Sequence, residues 1–270
     1  IAQFNVKTGM DELLTVTASQ ASSIQRAGRA GRVQAGTCYR LFSEEQFTSR
    51  PSFTKFAIEL EDLAPFTLSL AHWGSVDLDD YFFLDLPDNT RFQNSQNLLQ
   101  QLEILDGQSI SDHGQQLGKL PLHPRLAHMI HKAKALELEV TACYLAAILS
   151  EGDPLHFDES HSDLSLRLEL FSLDQLPNQF SRAQVKKALA KRIQEKAKRL
   201  INLVKAPKHQ TIDFYSTGRL TMLAYPDRIA QQRGKGYRLR SGQGCQLFHQ
   251  DALKPTDYLA VAHLSSQKSQ

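Results

Sequence analysis

The sequence contains few cysteines and no long apolar run. Its three cysteines, Cys38, Cys143 and Cys245, lie roughly a hundred residues apart, a spacing that fits neither a zinc site nor a disulfide framework. We therefore expect three reduced thiols in a cytoplasmic protein. The apolar segments are all shorter than the ~20 residues that a membrane-spanning helix needs, so we do not expect this protein to have a membrane as a partner.

The sequence also lacks a phosphate-binding loop of the type Gly-x-x-x-x-Gly-Lys-Ser/Thr. The segment Gly114–Leu120 comes nearest, but it has one residue too few between its glycines and ends on a leucine where a hydroxyl group would bind magnesium. No metal site is predicted either. His123, His128 and His131 lack the accompanying acidic residue or cysteine that would make them a ligand set.

A net charge of +2 hides a strong separation of acidic and basic residues. Residues 51–110 contain two basic and ten acidic side chains, whereas residues 182–208 contain ten basic and one acidic. A concentrated basic stripe attracts phosphate even when the total charge is near zero. The alternative is an amphipathic helix with a solvated charged face. The candidate nucleic-acid contacts on this stripe are Lys186, Lys187, Arg192, Lys196 and Arg199.

The most informative stretch is Gln25–Arg32, which repeats an arginine every three residues as Gln-Arg-Ala-Gly-Arg-Ala-Gly-Arg. Guanidinium groups are fixed, forked donors that neutralise the charge spread over a transferring phosphoryl group. Glycines let the backbone turn at a helix end and approach a crowded phosphate. Gln25 offers a donor and an acceptor for a water or a phosphate oxygen. The alternative is a basic surface helix with a glycine-rich end, but six specified residues at fixed spacing favour the phosphate interpretation.

This stretch resembles motif VI of superfamily 2 helicases, and its leading glutamine resembles the DEAH branch of that superfamily. In that family the last two arginines are fingers that reach from the second RecA-like lobe to ATP bound mainly by the first. The resemblance implies that Arg29 and Arg32 are catalytic fingers and that Gln25 contacts the γ-phosphate or the attacking water. It also places Arg26 and Gly28 in the nucleotide-contact segment, with Arg26 in a structural or cross-domain contact.

The resemblance covers nearly the whole chain. Trp73-Gly74 and Lys119–Leu126 resemble the winged-helix segment of DEAH helicases, the basic helical region resembles their ratchet domain, and Tyr225–Ala230 resembles the HrpB subfamily. The implied fold is mixed and mainly α. Its parts are the end of a RecA-like lobe at residues 1–50, a winged helix at 51–124, a helical, ratchet-like bundle at 125–215 and the start of a small β-rich domain at 216–270.

Local patterns in the first half of the chain predict its elements. Residues 12–17 and 36–42 are predicted strands, on either side of a helix for which Ser19 and Ser22 are candidate caps. Alternating polar and apolar residues over 108–120 predict a small β-wing.

In the second half, Pro124 is expected to open a helix because its fixed φ suits the first helical position. Ser181–Gln184 matches a capping box, which predicts the start of a helix of about 25 residues and about 38 Å. Residues 220–231 are also predicted to be helical, with a kink or a start at Pro226. The predicted strands of the β-rich segment are 237–240, 245–248 and 258–264.

The resemblance implies a part of an ATP-dependent RNA helicase. ATP and Mg²⁺ would be bound mainly by the N-terminal RecA-like lobe of the same protein, because this chain has neither the phosphate-binding loop nor the DEAH tetrapeptide. Since the chain begins with Ile1 rather than Met, we expect a longer polypeptide, and we expect this part alone to hydrolyse ATP negligibly. Single-stranded RNA would be the partner. A non-catalytic nucleic-acid-binding module and a protein-docking adaptor remain as alternatives.

Overall fold

The part of the chain that the structure describes folds into helices with four small antiparallel sheets. A computed structural model describes residues 1–5, 8–156, 161–172, 184–248, 251, 253 and 255–264 of the 270. Across those described segments, no helix combines the length and the apolar character that would let it cross a membrane. The mixed and mainly helical composition of the prediction is confirmed.

The N-terminal segment is a β-hairpin followed by two short helices. Strands β1 (Ala2–Asn5) and β2 (Met10–Leu13) pair antiparallel. In the turn between them Gly9 has a φ of 67°, a left-handed conformation that glycine adopts without a steric penalty. Helices α1 (Gln20–Ala27) and α2 (Glu44–Thr48) follow.

Both strand predictions in this segment need correction. The strand predicted at 12–17 begins two residues earlier and ends four residues earlier, at Met10–Leu13. The strand predicted at 36–42 is wrong, because these residues are irregular and exposed. A strand requires a neighbouring ladder for its backbone groups, and none of the strands in the described part of the chain pairs with residues 36–42.

The next segment is a helical layer built on two small apolar clusters. The larger cluster includes Leu68, Leu99 and Ile104, and the smaller one includes Leu70 and Phe92. Its elements are α3 (Ala57–Leu60), α4 (Ala64–Trp73), α5 (Asn89–Gln101), β3 (Leu105–Asp106), β4 (Ser109–Ile110) and α6 (Asp112–Leu117).

The β-wing predicted at 108–120 is wrong for most of its length. Only Ser109 and Ile110 are in a strand, and α6 begins two residues later. Ser111 stops the strand because its hydroxyl accepts a hydrogen bond from the Gly114 amide and so caps the helix. Gly114 then lies so close to Ile104 that an added Cβ would be 2.4 Å from the Ile104 carbonyl oxygen.

A helical bundle around one apolar core forms the centre of the molecule. Helix α8 lies in the middle and is buried from Glu139 to Ile148, and the other helices pack around it. The elements are α7 (Pro124–Ala133), α8 (Glu139–Glu151), β5 (Leu155–His156), α9 (Ser165–Ser172), β6 (Gln184–Val185), α10 (Lys187–Val204) and α11 (Thr217–Ala224). Pro124 occupies the first turn of α7, so that prediction is confirmed.

Helix α10 is shorter than predicted. It has 18 residues, which corresponds to about 27 Å. Gln184, expected as part of a capping box, instead pairs with His156 in the β5–β6 ladder, and Ser181–Ala183 lie outside the described residues. Ile193, Ala197 and Leu200 are the buried positions of α10, at the i, i+4 and i+7 spacing of one helical face.

The C-terminal segment is a four-stranded antiparallel sheet. Its strands are β7 (Ile229–Arg233), β8 (Gly236–Leu239), β9 (Gly244–Cys245) and β10 (Tyr258–Ala260), in the order β10-β7-β8-β9. The helix predicted at 220–231 ends at Ala224, because Pro226 disfavours helical backbone at Tyr225. The strand predicted at 237–240 has its expected four residues, one position earlier, and the strands predicted at 245–248 and 258–264 exist but are shorter than expected.

Candidate nucleotide-contact and nucleic-acid sites

The arginine-rich motif lies at the exposed end of α1. The helix begins at the Ser19 cap, whose hydroxyl accepts a hydrogen bond from the Ser22 amide, and it ends at Ala27. Gly28 is the C-cap, and the helical hydrogen bonding continues as turns, with the Arg29 amide donating to the Arg26 carbonyl. The five residues of the predicted nucleotide site are all exposed: Gln25, Arg26, Gly28, Arg29 and Arg32.

The other end of α1 is firmly anchored. Backbone amides of Gln20 and Ala21 donate to the carbonyls of Pro51 and Ser52, at 2.9 and 3.0 Å. The Gln20 side chain donates to the carbonyl of Thr48, the last residue of α2, at 3.1 Å and to the carbonyl of Arg50 at 2.9 Å. The hydroxyls of Ser19 and Thr54 are 3.1 Å apart. These contacts fix the start of α1 and leave its arginine-bearing end exposed.

Arginine and aromatic side chains reinforce this anchor. The Arg50 guanidinium lies 3.8 Å from the centre of the Phe42 ring and donates to the Ala18 carbonyl. Phe42 stacks on Phe47, and the Arg40 guanidinium lies over the Phe47 ring, 4.6 Å from its centre. Nothing in the local sequence pattern pointed to this cluster, because its members come from both sides of α2.

Apolar side chains near the motif are left uncovered. Val33, Tyr39 and Leu41 are 97%, 86% and 97% exposed. Gly36 lies against the turn that carries the motif, where an added Cβ would be 1.9 Å from the Ala30 carbonyl oxygen. A contiguous patch of exposed apolar side chains is typical of a surface that contacts another protein or domain.

The donors of the motif suit a phosphate. Exposed guanidinium groups beside a glutamine offer several N–H donors and no negative charge. Asp and Glu are absent from residues 13–43, so this segment offers no carboxylate to a magnesium ion. The motif therefore fits contact with the phosphates of a nucleotide, and it does not fit the binding of the metal.

The predicted nucleic-acid residues on α10 differ in their surroundings. Arg192 and Lys196 both face Glu151 of α8, at 3.4 and 3.0 Å, and the hydrogen bond from Lys196 lowers the pKa of the Glu151 carboxyl below its usual value. Lys186 donates from Nζ to the carbonyl of Asp153. The remaining two, Lys187 and Arg199, are exposed.

A large cleft opens on a different side of the bundle. Its volume is about 1780 Å³, and its lining comes from the β1–β2 hairpin, α7, the end of α8, α11 and the C-terminal sheet. The described residues that line it include none from α10, so none of the five predicted nucleic-acid residues lies in its wall. Tyr215, Arg233 and His161 are polar or aromatic lining residues that the sequence patterns did not single out.

A network of buried and half-buried charges borders this cleft, and Asp62, His123 and Arg125 of the network line it. Arg125 donates to both carboxylate oxygens of Asp227, at 2.5 and 2.9 Å, although the two residues are 102 positions apart. Burial by itself would raise the pKa of the Asp227 carboxyl, but the hydrogen bonds and charge of Arg125 hold it below its usual value. Asp62 accepts a hydrogen bond from His123 at 3.0 Å, and burial and His123 act on its pKa in the same opposing way, with a net lowering.

The histidines do not form a metal site. His123 caps α7 and contacts Asp62, so it is separated from the other two. His128 is 2.9 Å from His113, and the rings of His113 and His131 are 4.6 Å apart. Burial and neighbouring positive charges lower the pKa values of His113 and His128 to about 4. Among the described residues, no group of three or more His, Cys, Asp or Glu is arranged to hold a metal ion.

Comparison with known proteins identifies the relatives of this chain. No protein-family model matches it. The ATP-dependent RNA helicase HrpB of Escherichia coli (strain K12) is 34% identical over 271 residues, which span 100% of this chain and 30% of that protein. The chain is homologous to HrpB. The crystal structure of the E. coli DExH-box NTPase HrpB matches 96% of the chain, with 32% identity and a TM-score of 0.77.

A second group of relatives matches less of the chain. The ATP-dependent RNA helicase HrpA of E. coli (strain K12) is 35% identical over 160 residues, which is 57% of this chain and 12% of that protein. The HrpB likeness extends over the whole chain, so the predicted HrpB-like family is confirmed. The chain spans 30% of the length of the HrpB relative.

Proposed function

We propose that this chain is part of an ATP-dependent RNA helicase and that it supplies the arginine fingers of the nucleotide site. The observation that supports this most directly is the Gln25–Arg32 motif, exposed at the end of an anchored helix in a chain that is similar to HrpB over its whole length. The uncovered apolar residues Val33, Tyr39 and Leu41 beside the motif are consistent with a second lobe covering this surface.

The residues of the motif have distinct roles in this proposal. ATP and Mg²⁺ would be bound mainly by the N-terminal RecA-like lobe of the same protein, and hydrolysis of the ATP would supply the free energy of the cycle. Arg29 and Arg32 donate to phosphate oxygens and neutralise the charge that develops there. Gln25 orients a water or a phosphate oxygen, and Gly28 lets the helix end close to the phosphates. Arg26 contacts the facing lobe.

The remaining parts of the chain would hold single-stranded RNA. We assign residues 1–50 to the end of a RecA-like lobe, 51–124 to a winged helix, 125–215 to a ratchet-like bundle and 216–270 to a β-rich domain. The cleft between hairpin, bundle and C-terminal sheet has a volume of about 1780 Å³ and is the candidate site for the strand, and the exposed face of α10 is a separate basic surface. Such an enzyme would act in the cytoplasm.

Substitution of the fingers in the complete protein tests this proposal. Arg29→Ala and Arg32→Ala are each expected to reduce RNA-stimulated ATP turnover by about a thousandfold, as the loss of an arginine finger does elsewhere, and to leave RNA affinity nearly unchanged. Arg240→Ala is the matched control, since it removes an exposed arginine that lies outside the segment carrying α1 and its anchor. This chain by itself should show no turnover above a buffer blank.

Normal turnover in both finger variants would overturn the assignment of the fingers. A complete protein that binds RNA but hydrolyses no ATP would favour the alternative of a non-catalytic nucleic-acid-binding module. Retained partner binding without RNA binding would favour a protein-docking adaptor.

The contribution of α10 is tested by the salt dependence of RNA binding. Each lysine or arginine that neutralises a phosphate contributes about 0.7 to the slope of log affinity against log salt for a single strand. Lys187→Ala and Arg199→Ala are therefore expected to reduce the slope by about this amount. Lys196→Ala is the matched control, since Lys196 is already paired with Glu151, and an equal effect of all three variants would contradict a specific contact.

A further inference from the structure

The β1–β2 hairpin is attached to the C-terminal sheet through Arg228. This side chain belongs to the turn between α11 and β7, and the residue is 6% exposed. Its Nη1 donates to the Ala262 carbonyl at 2.6 Å, and its Nη2 donates to the Gly9 carbonyl in the hairpin turn. Beside it, the Leu264 amide nitrogen is 3.0 Å from the sulfur of Met10. One guanidinium therefore joins the hairpin to the chain that follows β10.

The neighbours of Arg228 hold it in this orientation. The Tyr225 ring lies under the guanidinium, 4.5 Å from its carbon, and Asp227 Oδ2 is 3.9 Å from Nε. Burial and the charge of Arg125 lower the pKa of Arg228 to about 10, so the group remains protonated at neutral pH. The Tyr225 ring packs on one face of the planar guanidinium, and its two terminal nitrogens point toward the hairpin turn and Ala262.

The hairpin needs such an external contact. Each of its strands has four residues, and an isolated two-stranded hairpin is at best marginally stable in water. Met10 is the buried residue of the hairpin, at 5% exposure, and it packs where Arg228 and Leu264 meet the turn. The position of the hairpin is therefore set largely by this junction.

The hairpin is also a wall of the cleft. Phe4, Gly9, Met10 and Asp11 line the cleft, as do Tyr225 and the segment after β10. The Arg228 contact joins these two lining elements. Displacement of the hairpin from Arg228 would widen the cleft and reduce the surface that surrounds its occupant.

We propose that Arg228 is a positioning residue that latches the hairpin to the C-terminal sheet and thereby retains single-stranded RNA in the cleft. This inference rests on the proposed function, because it takes RNA as the occupant of the cleft. Arg228 is 6% exposed at the edge of the cleft, and its two terminal nitrogens donate to the Ala262 and Gly9 carbonyls, so we assign it a role through the hairpin and not as a phosphate ligand.

The test uses the complete protein with Arg228→Met and, as the matched control, Arg238→Met. Arg238 is an exposed arginine of the same sheet that does not line the cleft. We expect Arg228→Met to speed hydrogen exchange of the hairpin amides in the absence of RNA. We also expect weaker binding of a fluorescein-labelled single-stranded RNA by about tenfold, the change expected for one lost charge-assisted hydrogen bond. Arg238→Met should leave both the hairpin exchange and the RNA affinity unchanged.

A cross-link distinguishes a latch from a direct RNA contact. In the Arg228→Met protein with Cys38→Ser, cysteines introduced as Met10→Cys and Leu264→Cys and joined by a short thiol cross-linker should restore the RNA affinity. Failure of the cross-link to restore affinity, or unchanged exchange of the hairpin in Arg228→Met, would overturn the latch. If Arg228→Met does not fold, Met10→Ala removes the other hairpin contact without a buried charge, and it must give the same pattern with a smaller loss.

Different results would overturn the proposed function and the RNA-retaining role of Arg228. A wild-type protein that does not bind RNA would overturn the proposed function and the RNA-retaining role together. Faster hairpin exchange in Arg228→Met with unchanged RNA affinity would overturn the retention role alone and leave the finger assignment intact.

Discussion

Apolar side chains are mostly buried in the central bundle and mostly exposed in residues 1–50. Helix α8 of the bundle is buried along most of its length, and its neighbours supply a continuous core around it. In residues 1–50, Leu13, Val33 and Leu41 are almost fully exposed, and Met10 is the buried apolar residue of that segment. The bundle can bury its apolar surface within itself, whereas the first segment leaves that surface open.

Charged groups follow the same division. Arg167 of the bundle donates to Asp153, and Lys196 pairs with Glu151. The three arginines of the motif in the first segment are exposed at the end of α1. A region that exposes both apolar and cationic groups is suited to contact with another protein domain. The segment that carries the motif has both kinds of exposed group, which favours it over the more basic α10 as the nucleotide-contact surface.

The largest expected effect compares one leucine from each region. Leu145→Ala in the core of α8 should destabilise this chain by about 2–5 kcal/mol, because it leaves a cavity in a closely packed interior. Leu41→Ala should change the unfolding free energy by less than about 0.5 kcal/mol, as is usual for exposed sites. Chemical denaturation of both variants checks this, and similar losses would erase the contrast between the regions.

The next effect tests whether the bundle depends on its buried charges. Asp227→Asn leaves Arg125 and Arg228 buried with no carboxylate between them. Removal of one partner of a buried pair costs about 3–5 kcal/mol, and since the Asp227 side chain is 29% exposed, we expect the lower part of that range or slightly less. Asp85→Asn, an exposed acid, is the control for denaturant midpoints, and equal midpoints would contradict a structural role for the pair.

The smallest of the three effects concerns pH. Burial, followed by the charges of His113 and Lys132, lowers the pKa of His128 to about 4, below its ordinary 6.5. The unfolded chain therefore binds protons that the folded chain does not as pH falls from 6.5 to about 4, and stability is lost over that window. At pH 5 the loss should be on the order of 1–2 kcal/mol.

His128→Gln should flatten this pH dependence, as measured by thermal unfolding at pH 7 and pH 5. The hydrogen bond between His113 and His128 requires one ring to remain an acceptor, so protonation of both rings abolishes it. An unchanged pH profile in the variant would show that acid sensitivity arises elsewhere.

Local chemistry predicted part of this molecule well. Pro124 opens α7, Ser19 caps α1, and the motif at Gln25–Arg32 was recognisable from residue types at fixed spacing. The strand predicted at 36–42 failed because its alternation needs a partner strand that no local pattern supplies, and the helix through 220–231 failed because a single proline outweighed an apolar periodicity.

Long-range partners could not be predicted. Arg125 and Asp227 are separated by 102 positions, and Gly9 and Arg228 by 219, yet each pair shares a short hydrogen bond. Nothing in the sequence around either residue indicates its partner. The cleft, whose walls come from both ends of the chain, was missed for the same reason.

Helix α1 is attached through its N-terminal end, so a small rotation there displaces its C-terminal end. The hydrogen bonds of Ser19 and Gln20 form its base, and the arginines lie beyond its tip, about 12 Å away along the helix. A tilt of about 5° at the base therefore moves the tip by about 1 Å, and a misplacement of that size can cost about a hundredfold in the rate of an enzymatic step. In the proposed helicase, Thr54 and Gln20 would therefore determine how accurately Arg29 and Arg32 are placed against the phosphates.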